Sequence, residues 1–193
     1  QQLNLQVFVP IALNLLGRYE LYDPQGPGAK ANESLRYGDL LPANNISEAV
    51  EAFVRREVQK AGGGSDLNLC EVPITFNLAQ LHQALLSGRF NICKVLTALC
   101  EVMANYHCDM LLLTGRPSLL PGIQAFIRMC LPLPPGRILP LHGYHTGNWY
   151  PFHKNGQIDD PKSTASVGAM ITLLCANHSI PNFHFRTAAL KPY

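Results

Sequence analysis

Charge is what this sequence has least of. Fifteen lysines and arginines and 13 aspartates and glutamates among 193 residues leave a formal net charge of +2 with histidine neutral. That balance is too near zero to point to nucleic acid, and no basic face interleaved with aromatics is visible. Long apolar runs are missing as well. Glycine, proline or a charge interrupts each one well short of the ~20 residues that a spanning helix needs, and no basic stretch with an apolar core behind it stands at the start. The chain is expected to be soluble, outside the membrane and without an export signal of its own. Cys-x-x-Cys pairs are absent: the six cysteines, at 70, 93, 100, 108, 130 and 175, fall mostly in apolar stretches and read as reduced core residues of a cytosol-like compartment. Metal-site spacing is lacking too. His142, His145 and His153 share one stretch, but no cysteine, helical His-x-x-x-His or carboxylate pattern accompanies them, so loop and core roles are expected and no metal. The run Gly62-Gly63-Gly64-Ser65 has no Lys-Ser/Thr behind it, which makes it a linker and not a phosphate loop. No convincing nucleophile stands out, because Ser163 and Thr164 read as caps of the last helix.

What is present is apolar residues, 47% of the chain, as expected of a globular protein with a sizeable core. Residues 1–9 are extended in character, and Pro10 opens a helix to Tyr22 with Ile11, Leu15, Leu16 and Tyr19 on one face. Asp23-Pro24 stops it. An irregular stretch to Asn45 precedes Ser47, which caps a helix to about Lys60 with Val50, Phe53, Val54 and Val58 inward. Alternation through Leu67, Leu69 and Val72 suggests an edge strand or strand pair ending at Phe76, since Pro73 cannot donate to a ladder. Asn77 caps the next of two helices, 78–87 and 91–106. A short apolar run at 110–113 reads as a buried strand, followed by a helix from Ser118 to about Cys130 and a second buried strand at 137–141. That order is α/β in type.

Two segments carry a further signal. The first is Asp109-Met-Leu-Leu-Leu-Thr-Gly115-Arg116-Pro117-Ser118-Leu-Leu-Pro121-Gly-Ile123. Here a strand feeds a glycine free to adopt φ > 0, with Ser118 as N-cap and Pro121 in the first turn of a helix. Such a turn can face an anion with backbone N–H groups, although any βα unit needs a turn and a cap. The second is Asp160-Pro161-Lys-Ser-Thr-Ala-Ser-Val-Gly168-Ala169. Between them, residues 142–160 carry the only tryptophan, Trp149, with Tyr144, Tyr150 and Phe152 around it, and Asn155-Gly156 is a strong type I′ hairpin signal. Such aromatics usually bury area before they recognise anything, so a hairpin folded over a sheet is expected, with partner binding as the alternative.

The two segments together resemble the adenosine-binding end of the actin-like ATPases, whose chaperone members place a glycine pair, a hydroxyl and a proline at these offsets. Leu-Thr-Gly115-Arg116-Pro-Ser118, His142-Gly-Tyr144-His145-Thr-Gly147, Trp149-Tyr-Pro-Phe152 and Asp160-Pro-Lys-Ser-Thr-Ala resemble the SrfB-type bacterial virulence-factor family, most strongly over residues 109–175. The resemblance implies the second lobe, or part of it, of an actin-like (ribonuclease H-like) α/β fold, with a smaller helical and strand subdomain at 23–76. An adenosine-side subdomain would occupy 77–193, with the aromatic hairpin inserted at 142–160. Members of that family are much longer, so a fragment is implied, with the rest of its own chain as a partner and the bacterial cytoplasm as its place of work.

Functionally, the resemblance implies weak binding of ATP or ADP through Gly115, Arg116 and Ser118. Arg56, on a helix with Arg55 and Lys60, would close over adenine and ribose, although a solvated basic helix face explains that run as well. No ATP hydrolysis is expected of the chain alone, because the phosphate loops and metal-holding carboxylates are not found in it. Two departures count against the site: Arg116 replaces the second glycine, and Leu119 stands where the chaperones have arginine. The alternative is a nucleotide-independent interaction module that holds a protein partner through Tyr144, Trp149 and Tyr150. An uncovered sheet edge further implies a homo-oligomer, with residues 1–9 or 109–113 near the contact.

Overall fold

Helices and three two-stranded sheets make up the computed structural model, which describes residues 1–27, 32–41, 46–64 and 66–183. Two compact units emerge: Gln1–Cys93 with Leu120–Gly122, and Lys94–Leu119 with Ile123–Tyr193.

The first unit begins in helix, not in extended chain. A π-helical turn, Asn4–Phe8, leads into α1 (Val9–Glu20), with Val9 N–H bonded to Asn4 O. Pro10 has no N–H to give, and a wide turn ahead of it is where the helical ladder can loosen. The expectation for residues 1–9 fails because Leu3 and Val7 continue, at a spacing of four, the helix face that Ile11 and Leu15 present, so the stretch extends that face one turn at a time. Val7 and Ile11 join Leu40 and Val50 in a buried cluster, with Leu3 and Leu15 packed against it. The stretch to Asn45 likewise is not irregular throughout. Strand β1 (Glu33–Arg36) pairs antiparallel with β2 (Pro73–Phe76), Glu33 opposite Phe76. Arg36 N–H then donates to Asp39 Oδ2 at 2.9 Å and opens the short helix α2 (Tyr37–Leu40).

Helix α3 (Glu48–Lys60) follows Ser47 as expected, but the serine hydroxyl makes no capping bond. Among the described residues it is buried without a partner, while Gln6 Oε1 accepts Ser47 N–H at 2.8 Å and ties this turn to the opening helix. Phe53, expected inward, is 41% exposed. Val50 and Val54 take the buried face one helical turn apart, and the Arg56 guanidinium lies 5.4 Å from the Phe53 ring centroid. Asn77 caps α4 (Leu78–Leu86) as the sequence indicates, its Oδ1 accepting Gln80 N–H at 3.0 Å. Deepest in this unit is Tyr19, with no exposed surface. Its hydroxyl lies 2.8 Å from His82 Nδ1 and receives the Gly122 N–H. Burial pushes the Tyr19 hydroxyl up to about 12, against the pull of that N–H, and burial pushes the His82 imidazole down. A Cβ at Gly122 would come within 2.8 Å of Leu85 Cδ1, so glycine is what lets this contact close.

Helix α5 (Asn91–Asn105) leads into the second unit, with Cys93 and Cys100 on its buried face. Burial, with Cys130 beside it, holds the Cys100 thiol up, and none of the six cysteines is disulfide-bonded. Strand β3 (Leu111–Leu113) pairs parallel with β4 (Ile138–Pro140), Leu112 opposite Leu139, through a crossover that contains α6 (Pro121–Cys130). The run at 110–113 is buried only at Leu113; Met110 and Leu112 are more than half exposed. A pleated strand turns alternate residues to opposite faces, and only one face of this pair is packed. The hairpin is where the sequence puts it. β5 (His153–Lys154) and β6 (Gln157–Ile158) are joined by Asn155 at φ 53° and Gly156 at φ 76°, the two positive angles of a type I′ turn. Helix α7 (Thr164–Ala176) closes the described fold.

Candidate functional site

Strand β3 delivers Thr114 and Gly115 to the point where α7 begins. Gly115, at φ 78°, donates its N–H to Pro161 O at 3.3 Å. The hydroxyls of Thr114 and Thr164 each lie 2.8 Å from the same carbonyl and touch one another. The two segments singled out in the sequence therefore meet at one buried proline carbonyl, although Thr114, which makes half of that junction, was not among the candidates. Its position between an apolar strand and a glycine was the available signal.

The turn itself is closed by its own bonds. Ser118 is 4% exposed, and both its N–H and its hydroxyl donate to Gly115 O, at 3.1 and 2.7 Å. Gln124 Nε2 donates to Ser118 O at 2.7 Å. Ser118 is thus not the N-cap of a helix starting at Leu119: residues Arg116–Leu119 form a 3-10 turn, and α6 starts at Pro121. Of the expected nucleotide contacts here, the Gly115 N–H, Ser118 N–H and Ser118 hydroxyl are engaged within the chain, and Arg116 is exposed. Arg56 belongs to the other unit. Its Nε–H donates to Glu57 Oε1 at 3.2 Å, and Lys60 reaches the same oxygen at 3.0 Å. The Lys60 and Arg56 bonds hold the Glu57 carboxyl below the usual carboxylate range. Arg56 and Phe53 also line a groove of about 660 Å³ along α3.

Residues 142–160 make the second candidate. Tyr150 is 3% exposed, its hydroxyl is 2.7 Å from Ser163 Oγ, and it packs with Ile158, Val167, Leu141 and Ile171. On either side of it the pattern inverts. Trp149 is 61% exposed and Phe152 53%, each edge-on to the Tyr150 ring, with centroids at 5.6 and 6.5 Å; Tyr144 is 51% exposed. The expectation that these aromatics fold inward holds for Tyr150 alone, because one ring fills the space between the hairpin and α7. The exposed rings sit on backbone that is fixed rather than loose. Gly143 N–H donates to Ile158 O, Ile158 N–H to Tyr144 O, and the N–H groups of Thr146 and Gly147 both to Gly156 O.

The histidines serve this loop individually. His142 Nδ1 lies 3.0 Å from Asp159 O, and His153 Nδ1 accepts Gly156 N–H at 3.3 Å. Among the described residues no three His, Cys, Asp or Glu side chains gather as a metal site would require, and no helix is long and apolar enough to cross a membrane. Residues 142–160 contain Lys154, three histidines and, at their end, Asp159 and Asp160.

Comparison with curated proteins and with solved structures finds no match to the chain. A family model described as Virulence factor SrfB matches residues 1–193 of the chain, which accordingly belongs to the SrfB virulence factor family.

Proposed function

We propose that this chain is a non-catalytic docking module of an SrfB protein, in which the loop of residues 142–158 holds an acidic protein segment bearing apolar side chains. The observation that carries the reading is the row Trp149–Tyr150–Phe152, one ring anchored in the core and its two neighbours held out in water. Aromatics fixed before binding lose little freedom on contact, and Trp and Tyr dominate interface energetics for that reason. Charge narrows the partner: Lys154, in β5, is the one charged side chain of residues 142–158, ahead of Asp159-Asp160, and favours a segment of opposite sign.

The test uses a labelled peptide of glutamates interspersed with leucines, and its lysine counterpart. The acidic peptide is expected to bind, and Trp149→Ala to weaken it by roughly 30-fold, the loss of a hot spot of about 2 kcal/mol. Equal binding of the lysine peptide, or an unchanged affinity in Trp149→Ala, would overturn the assignment.

A second reading has one observation in its favour: the junction of Thr114, Gly115 and Thr164 on Pro161 O joins the two segments that resemble the adenosine end of an actin-like ATPase lobe. On this reading ATP or ADP sits beside the turn with Arg116 as its side-chain contact, and the chain alone does not hydrolyse it, having no phosphate loops to position the γ-phosphate and Mg²⁺. Thermal unfolding with ATP, ADP and AMP is the measurement, since a ligand at 100 times its Kd stabilises the fold it binds by about 2.7 kcal/mol. Stabilisation by all three without Mg²⁺, lost in Arg116→Ala, is the expected result. No shift at millimolar nucleotide would exclude the reading.

A further inference from the structure

At the start of α4 the first unit has a cavity of about 450 Å³, lined by Tyr22, Pro24, Asn77, Gln80, His82 and Gln83 among others. Its volume lies in the range of small-molecule sites. Among the described residues no charged side chain lines it, and those residues offer nothing to neutralise a carboxylate or a phosphate.

One lining group offers a hydrogen bond to whatever enters the cavity. His82 is only 7% exposed. Its Nδ1 faces the Tyr19 oxygen at 2.8 Å, and that oxygen already accepts the Gly122 N–H. A phenol has one proton to give, so Tyr19 donates it to Nδ1 and the imidazole proton is assigned to Nε2. Among the described residues Nε2 has no hydrogen-bond partner, yet its ring lines the cavity. Nε2 is not a buried atom, the only buried side-chain nitrogen or oxygen without a partner among the described residues being Ser47 Oγ, so its N–H is open to an acceptor that enters the cavity. Burial keeps the imidazole neutral at pH 7, so it presents a single N–H and no charge. Beside it the Tyr22 ring, 5.7 Å from both the His82 and the Tyr19 ring centroids, supplies an aromatic wall, and Gln80 and Gln83 bring amides to the rim.

We propose that this cavity binds an uncharged planar ring compound carrying a hydrogen-bond acceptor, which takes the His82 Nε2–H and lies against the ring of Tyr22. The site belongs to the first unit and is independent of the aromatic loop.

Benzamide is a suitable probe, with benzoate as the charged control and cyclohexanecarboxamide as the saturated one. Titration of the whole chain with ¹⁵N-labelled histidine reads the ring nitrogens of His82 directly. Benzamide is expected to give a saturable shift at His82 Nε2, at least tenfold tighter than either control, and Gln83→Glu at the rim to weaken it without disturbing the fold. A His82 signal that does not move up to the solubility limit of benzamide, or that responds equally to benzoate, would overturn the proposal.

Discussion

Replacing Tyr19 by alanine should destabilise the protein by about 3–5 kcal/mol, the cost of truncating a fully buried large aromatic side chain. The ring has no exposed surface, stacks on Tyr22 and meets the His82 ring edge-on. Tyr19→Phe isolates the polar part. It keeps the ring and removes the oxygen that accepts Gly122 N–H and donates to His82, leaving two buried groups unanswered at about 1–3 kcal/mol. The same pair makes stability depend on pH at both ends of the range. His82 is neutral when folded and titrates near 6.5 when unfolded; its depressed folded value means that stability is complete above about pH 6.5 and falls as acid protonates the unfolded chain first. Tyr19 is shifted the other way, up to about 12, so its contribution is complete below about pH 10, where an unfolded tyrosine titrates, and is lost as pH rises towards 12. Denaturant melts across pH check both limbs, and His82→Gln should flatten the acid one. An acid limb unchanged in that variant would put its origin elsewhere.

Two adjacent aromatics should behave in opposite ways. Tyr150→Ala should cost about 3–5 kcal/mol, for it empties the space between the hairpin and α7 and strands the Ser163 hydroxyl on one side. Trp149→Ala, one residue earlier and 61% exposed, should change stability by no more than about 0.5 kcal/mol. Hydrogen exchange gives the local counterpart: the N–H groups of Gly143, Thr146 and Ile158 should lose protection in Tyr150→Ala and keep it in Trp149→Ala. Loss of stability in Trp149→Ala would show that this ring is packed and would remove the basis for a docking surface.

How far the sequence reveals this molecule follows from which forces act locally. Asn77 and the Asn155-Gly156 pair are legible because a cap and a type I′ turn are decided by a few neighbouring residues. The same holds for α4, α5 and the end of α1 before Asp23-Pro24, where apolar period and stop signals agree. Residues 1–9 misled because local extended character competed with a four-residue apolar period whose partners, Leu40 and Val50, lie far along the chain. Ser118 misled because its hydroxyl has two uses, and a bond back to Gly115 O outcompeted the cap. Burial was the least legible property. Leu112, Phe53 and Trp149 look like core residues, yet among the described residues each is more than 40% exposed. The meeting of Thr114 and Gly115 with Pro161, and of Tyr19 with His82, joins residues 46 or more positions apart, and no spacing in the sequence announces either.

Trp149 is the single tryptophan, so acrylamide quenching of its fluorescence, with and without the acidic peptide, addresses the docking surface without background from another site. A ring free in the isolated chain and covered by an acidic partner should be readily quenched alone, protected when the acidic peptide is added and unprotected by the lysine peptide. A tryptophan already shielded in the isolated chain, or one whose quenching the acidic peptide leaves unchanged, would contradict the assignment of residues 142–158 as the docking loop.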